Sequence, residues 1–298
     1  MATLYTQQSK NVGKTWLLMS TFLIIVIALG FVFAQIYGNP NILYGFVIFS
    51  IVMNITGYWF SDKIALSIAG AHPATREQYF DLYTSVENLC ITAGLPMPKI
   101  YVINDPAPNA FATGRDKNHA IVACTTGLLS IMNKSELEGV IAHELSHIGN
   151  RDMLVSTVAV VLVGFVSIVS DMIIRMSFFG GHRDDDNRGS GLFMILGIIL
   201  SILAPILATL IQLSISRKRE YLADASGALL TRYPEGLASA LEKIGAYKRP
   251  MLRQSTAIAH LYIANPFGSG SFSKKIGNLF STHPPVEERI KILRGMSN

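Results

Sequence analysis

Four runs of the chain are almost continuously apolar: Trp16 to Ile36, Ile42 to Phe60, Met153 to Ile174 and Leu192 to Ile215. Each has about the 20 residues that a helix needs to cross a hydrocarbon core, so the pattern predicts four membrane-spanning helices. The first is too long for the core of a signal peptide and ends at Tyr37-Gly38-Asn39-Pro40, which predicts a tight turn and a retained hairpin. Pro205 predicts a kink in the fourth span. Asp171 in the third is expected to reach the interface beside Arg175 rather than to work inside the bilayer.

Elsewhere the rhythm changes. Tyr79, Leu82, Val86 and Leu89 recur at helical spacing behind a Thr75–Gln78 capping box, predicting an amphipathic helix over Thr75 to Ala93. Lys99 to Ile103, Asn109 to Thr113 and His119 to Ala123 read as short strands bounded by turn residues. Ser135 to Glu138 reads as a second capping box, and Leu137, Val140, Ile141 and Leu145 continue the apolar stripe of the helix that follows. The expected organisation is a membrane hairpin (1–60), a soluble α+β part (61–152), a second membrane hairpin (153–215) and a second soluble part (216–298). Neither soluble part is large alone, so the two must pack together.

Composition agrees with membrane residence: 50% of residues are hydrophobic, 15% are charged, and the mean hydropathy is +0.38. Lys10, Lys14, Lys63, Arg217, Lys218 and Arg219 flank the spans on one side, against Arg183 and Arg188 on the other. The positive-inside rule then puts both termini and the soluble parts in the cytosol of a multi-pass cell-membrane protein. Basic residues facing an anionic bilayer account for the net charge of +5, and no nucleic-acid partner is expected. Cys90 and Cys124 fall in the cytosolic part, where they are expected reduced and structural.

The chemistry lies in His143-Glu144-Leu145-Ser146-His147. Histidines at i and i+4 project from one helix face and can share a metal ion, and the intervening glutamate is placed to take a proton from a water activated by that ion. Two buried structural histidines are the bland alternative. A catalytic zinc usually takes a third protein ligand. Two further crossings return the chain to the same membrane face, where Glu220 stands in Arg217-Lys218-Arg219-Glu220, with Asp224 one helical turn on. Glu220 could reach the metal and Asp224 could accept from the far nitrogen of a ligating histidine. On residues alone Glu220 could equally be a solvated group in a basic juxtamembrane cluster, and Glu242, His260 and His283 compete for the third position.

His143-Glu-x-x-His147, a membrane hairpin and Glu220-x-x-x-Asp224 together resemble the HtpX-type membrane zinc metalloproteases, relatives of the CAAX prenyl proteases. The resemblance covers essentially the whole chain, including Asn109-Ala110-Phe111-Ala112-Thr113-Gly114 and Thr282-His283-Pro284-Pro285. It implies an α-helical membrane protein with four transmembrane helices and a cytosolic α+β zincin-like (gluzincin) domain carrying a small β-sheet. It implies one Zn2+ per chain on His143, His147 and Glu220, and Glu144 as the base. Asn109, Ala110 and Phe111 would then belong to an edge strand that pairs with substrate, although Asn109 after Pro108 otherwise reads as a turn residue. His283 and Arg289 would stabilise the oxyanion, although otherwise they read as a turn histidine and a surface arginine.

The activity implied is proteolysis of misfolded or damaged membrane proteins, and of some cytosolic ones, as quality control. The rival enzyme is a prenyl-protein protease. A non-enzymatic zinc carrier fits less well, because none of the four spans contains a His or Glu. The Asp184-Asp185-Asp186 loop matches no functional motif.

Overall fold

The computed structural model describes residues 4–159, 161–162, 217–255, 257–268 and 284–296. Helices α1 (Leu4–Tyr37) and α2 (Asn41–Ala69) form the expected hairpin, with Phe33 and Phe46 stacked across it at 6.0 Å. Among the described residues, two helices are long and apolar enough to cross a membrane. Their most apolar windows are only 22% and 11% buried, so this is not the packing of a soluble core. Trp16, Ile24 and Phe31 of α1 and Ile48, Ile55 and Trp59 of α2 are exposed large apolar side chains, an exterior that suits lipid. Residues 152–159 and 161–162 begin the third expected span as helix, and Leu154, Val158 and Leu162 pack on Leu18, Phe22 and Val26 of α1. The rest of that span, the fourth span, Asp171, Pro205 and the 177–191 loop lie outside the described residues.

Helix α2 does not stop at Phe60. Ser61, Asp62 and Lys63 interrupt the apolar run, but Ala65, Leu66 and Ala69 carry the helix into the soluble body, against Ile103, Phe111 and Tyr262. The boundary drawn at residue 60 therefore falls inside one continuous helix.

Four strands follow, β1 (Ala71–Pro73), β2 (Lys99–Ile103), β3 (Ala110–Gly114) and β4 (Ala120–Thr125), in the order β1-β2-β4-β3. Only β2 and β4 are parallel. The three expected strands appear within one or two residues, whereas β1 is too short to print a pattern. Side chains alternate between the two faces. Ile100, Val102, Ala110, Ala112, Val122 and Cys124 meet the helices, while Ile103, Phe111, Ile121 and Ala123 meet the end of α2 and residues 251–262. The sheet is buried on both sides, which is why its strands read as apolar runs rather than as alternations.

Two helix starts differ from expectation. Helix α3 (Phe80–Ala93) begins five residues later than predicted, because Thr75 Oγ1 accepts from the Gln78 amide to head a separate turn. Helix α5 (Lys134–Asn150), which follows the short α4 (Thr126–Ile131), is capped by Asn133 and Glu136, not by Ser135 and Glu138. Asn133 Oδ1 accepts from the Glu136 amide at 2.9 Å and Glu136 Oε2 from the Asn133 amide at 2.8 Å. The Ser135 hydroxyl instead donates to Asn133 at 2.9 Å.

Helices α6 (Arg217–Thr231), α7 (Pro234–Ala246) and α8 (Val286–Gly295) enclose α5. Two glycines set how closely. A Cβ on Gly139 would meet the Leu237 backbone at 2.6 Å, and one on Gly227 would meet the His143 amide nitrogen at 3.0 Å. Helix α6 thus lies directly against the histidine turn of α5.

Candidate metal centre

Helical spacing stacks His143 and His147 on the face of α5 that meets α6. Their Nε2 atoms are 3.2 Å apart. Glu220, in the first turn of α6, brings Oε2 to 3.7 Å from His143 Nε2 and Oε1 to 3.6 Å from His147 Nε2. Potential ligand atoms of all three residues lie within 4.8 Å of one another.

The outer nitrogen of each histidine is already engaged. His143 Nδ1 is 2.9 Å from Asp224 Oδ1, and His147 Nδ1 is 3.3 Å from Asp152 Oδ2. A ring that donates its Nδ1–H to a carboxylate presents a bare lone pair at Nε2. Two such lone pairs and a carboxylate therefore face one small space. This donor set of two imidazoles and one carboxylate is the kind that binds zinc, with both rings oriented by outer carboxylates.

Each supporting carboxylate has a cation behind it. Arg289, fully buried, donates from Nη2 to Asp224 Oδ1 at 2.6 Å and from Nε to Asp224 Oδ2 at 2.8 Å. Burial opposes ionisation of Asp224, but Arg289 and His143 outweigh it and hold the carboxyl well below its ordinary range. Asp152 Oδ1 accepts from Arg219 at 2.9 Å and from Asn11 at 2.6 Å. Asn11 also donates to the Asn150 carbonyl at 3.0 Å, and its own oxygen accepts from Arg219 at 3.1 Å. The membrane helix α1 is thereby tied to the end of α5. Asp152, Arg219 and Asn11 were missed by sequence reasoning; an acid five residues past His147 was the one available signal.

Glu144 lines a narrow cleft of about 30 Å³ with Ala112, His147, Glu220 and His260. That volume holds one or two waters. Burial pushes the Glu144 carboxyl up, against the pull of His143 and His147. Glu144 therefore borders the space that the ligand atoms of His147 and Glu220 also line.

The residues expected to form the substrate-pairing edge strand lie at the start of β3, the edge strand of the sheet. Asn109 is buried, donating to Ala264 O at 2.9 Å and accepting from the Ala264 and Ala110 amides at 3.2 and 3.1 Å. The Ala110 carbonyl accepts from Ile263 N at 2.9 Å. Phe111 is wholly buried, edge-on to Tyr262 at 5.1 Å. These three residues clamp the start of β3 to residues 262–264. Antiparallel alternation turns the backbone groups of Ala112 outward, towards the Glu144 cleft. His283 lies outside the described residues.

Residues 77–297 match the family described as Peptidase family M48. A Protease HtpX homolog of Caldanaerobacter subterraneus subsp. tengcongensis is 48% identical over 301 residues, covering 99% of this chain and 98% of that protein. One from Thermoanaerobacter pseudethanolicus is 47% identical over 301 residues, with the same coverage. One from Tropheryma whipplei is 45% identical over 295 residues, covering 99% of each. Among solved structures, S. mikatae Ste24p matches with a TM-score of 0.51 at 20% identity, covering 94% of this chain and 66% of that one. At that identity the likeness is one of fold.

Proposed function

The chain belongs to peptidase family M48 and is a membrane metalloprotease; on that premise we propose how its residues divide the work and what it cuts. One zinc ion would be held by His143, His147 and Glu220. The observation that carries this reading is the convergence of their ligand atoms while Asp224 and Asp152 occupy the outer histidine nitrogens. Zinc bound there supplies a Lewis acid that polarises the scissile carbonyl and makes a water more acidic.

Glu144 takes the proton of the attacking water and delivers it to the leaving amine. Its burial, which raises its proton affinity, suits a group that must hold the proton between those two events. The outward backbone groups of Ala112 receive the substrate as an added strand, with Asn109, Ala110 and Phe111 bracing that edge. Main-chain pairing tolerates varied side chains, in keeping with a protease acting on misfolded or damaged membrane and cytosolic proteins as quality control. Arg289 acts on His143 through Asp224 as a positioning residue; the oxyanion role of His283 is carried over from the family resemblance alone.

The predicted four spans and the distribution of Lys and Arg support a multi-pass protein with termini and active site in the cytosol. The test is cleavage of casein by the purified full-length chain in detergent. Chelator-sensitive cleavage, at about one zinc per chain, is expected. Failure to cleave with zinc fully loaded rejects the reading, and selective release from a farnesylated C-terminal peptide transfers it to a prenyl-protein protease.

A further inference from the structure

A second cleft, about 310 Å³ in volume, lies where α1 and α2 meet the soluble body. That is the small end of ligand-sized sites. Its walls carry Trp16 of α1, Tyr58 of α2, Arg115, Asp116 and Lys117 from the β3–β4 connection, and Arg151 just past α5. Three cations therefore face one carboxylate.

The carboxylate is consumed locally. Asp116 Oδ1 accepts from the amides of Asn118 and His119 at 2.8 and 3.0 Å and meets the His119 ring at 2.8 Å. Arg115 is 3.5 Å from Asp116 Oδ2, and its guanidinium lies 4.6 Å from the centre of the Trp59 ring. Lys117 and Arg151 have no hydrogen-bonding or ion-pair partner for their side chains among the described residues. Arg151 is aimed by backbone instead: in a left-handed conformation (φ 57°) it closes α5, its amide donating to the Ile148 carbonyl at 3.2 Å. Lys117 and Arg151, each without a counter-charge of its own, leave the cleft with an excess of positive charge, and an anionic ligand would relieve the repulsion between them.

The height of the cleft identifies the anion. Trp16 opens the apolar run of α1, Tyr58 and Trp59 stand where that of α2 ends, and both tryptophans are more than half exposed. Aromatic rings of this kind sit at the headgroup level of a bilayer, and basic pockets between helices at that level suit phosphate groups. We infer that this cleft binds the phosphate of an anionic phospholipid headgroup, cradled by Lys117, Arg151 and Arg115. The inference rests on α1 and α2 spanning the membrane.

The test is native mass spectrometry of the detergent-solubilised full chain with phosphatidylglycerol, phosphatidylcholine of matched chains, or inorganic phosphate. Wild type should retain phosphatidylglycerol at about tenfold lower concentration than phosphatidylcholine. The Lys117→Gln/Arg151→Asn variant, which keeps a residue tolerant of the left-handed conformation, should weaken that binding by about 25-fold, roughly fivefold per cation. If that variant fails to fold, Lys117→Gln alone should still show the fivefold loss. An equal-charge control, Lys99→Gln/Lys291→Gln, should change it less than about twofold. Equal loss in both double variants, no lipid preference, or displacement by inorganic phosphate at equal concentration would overturn the site. Membrane residence is read separately: a chain that needs detergent for extraction yet shows no lipid preference loses the cleft proposal alone. A chain extracted by alkaline carbonate loses both.

Discussion

Arg289 grips Asp224 with two hydrogen bonds, at 2.6 and 2.8 Å, although 65 residues separate them and both are buried. Asp224 passes that constraint to His143 Nδ1 at 2.9 Å. Breaking a buried pair leaves an uncompensated charge, so Arg289→Gln should cost ~3–5 kcal/mol of stability. Asp224→Asn should lower zinc affinity by about 10–100-fold. The double variant should lose less than the sum of the two, read by thermal melting and chelator competition. Additive losses would mean that the two residues act separately.

Glu144 is assigned proton transfer, not ligation. Glu144→Ala should keep about one zinc per chain while casein cleavage falls on the order of a thousandfold. Near-normal cleavage would remove Glu144 from the mechanism, and loss of zinc would make it structural.

Glu220 is the carboxylate that meets both Nε2 atoms. Glu220→Gln keeps its size but removes the charge, so zinc should be lost on dialysis, while His260→Ala, Glu242→Ala and His283→Ala retain it. Retention by Glu220→Gln with loss in one of the others would relocate the third ligand.

The tie from α1 to the centre runs from Asn11 through Asp152 to His147. Asp152→Asn should reduce zinc affinity by about 10–100-fold, and Asn11→Ala by less, since Arg219 still holds Asp152. The absorption spectrum of the cobalt-substituted protein should shift in both. An unchanged spectrum and affinity in Asp152→Asn would show that the contact does not orient His147.

For topology, a single cysteine placed in 177–191, in a variant lacking Cys90 and Cys124, should react with an impermeant reagent in intact cells. A reporter fused after Asn298 should behave as cytosolic. Labelling only after lysis would replace the second hairpin with a shallow, re-entrant one.

Much of this protein is local physics, and local physics is legible in sequence. Continuous apolar runs located α1 and α2, apolar runs between turn residues located β2, β3 and β4, and i,i+4 spacing put His143 and His147 on one face. Glu220 and Asp224 share one helix turn, so their relation to each other was also readable. Helix starts were read less well. Ser135 and Asn133 both suit a cap, and backbone conformation together with the Lys243 and Ser239 contacts to Glu136 decided for Asn133. What no local pattern contains is the pairing of residues brought together from distant segments. Asn11 meets Arg219 across 208 positions, Asn109 meets Ala264 across 155, and Arg289 meets Asp224 across 65. In sequence those side chains are an asparagine in a membrane-helix entry, a turn residue and a surface arginine. Only the packing of α1, α6, α8 and residues 262–264 around α5 and β3 buries them, and burial is what obliges a polar group to find a partner.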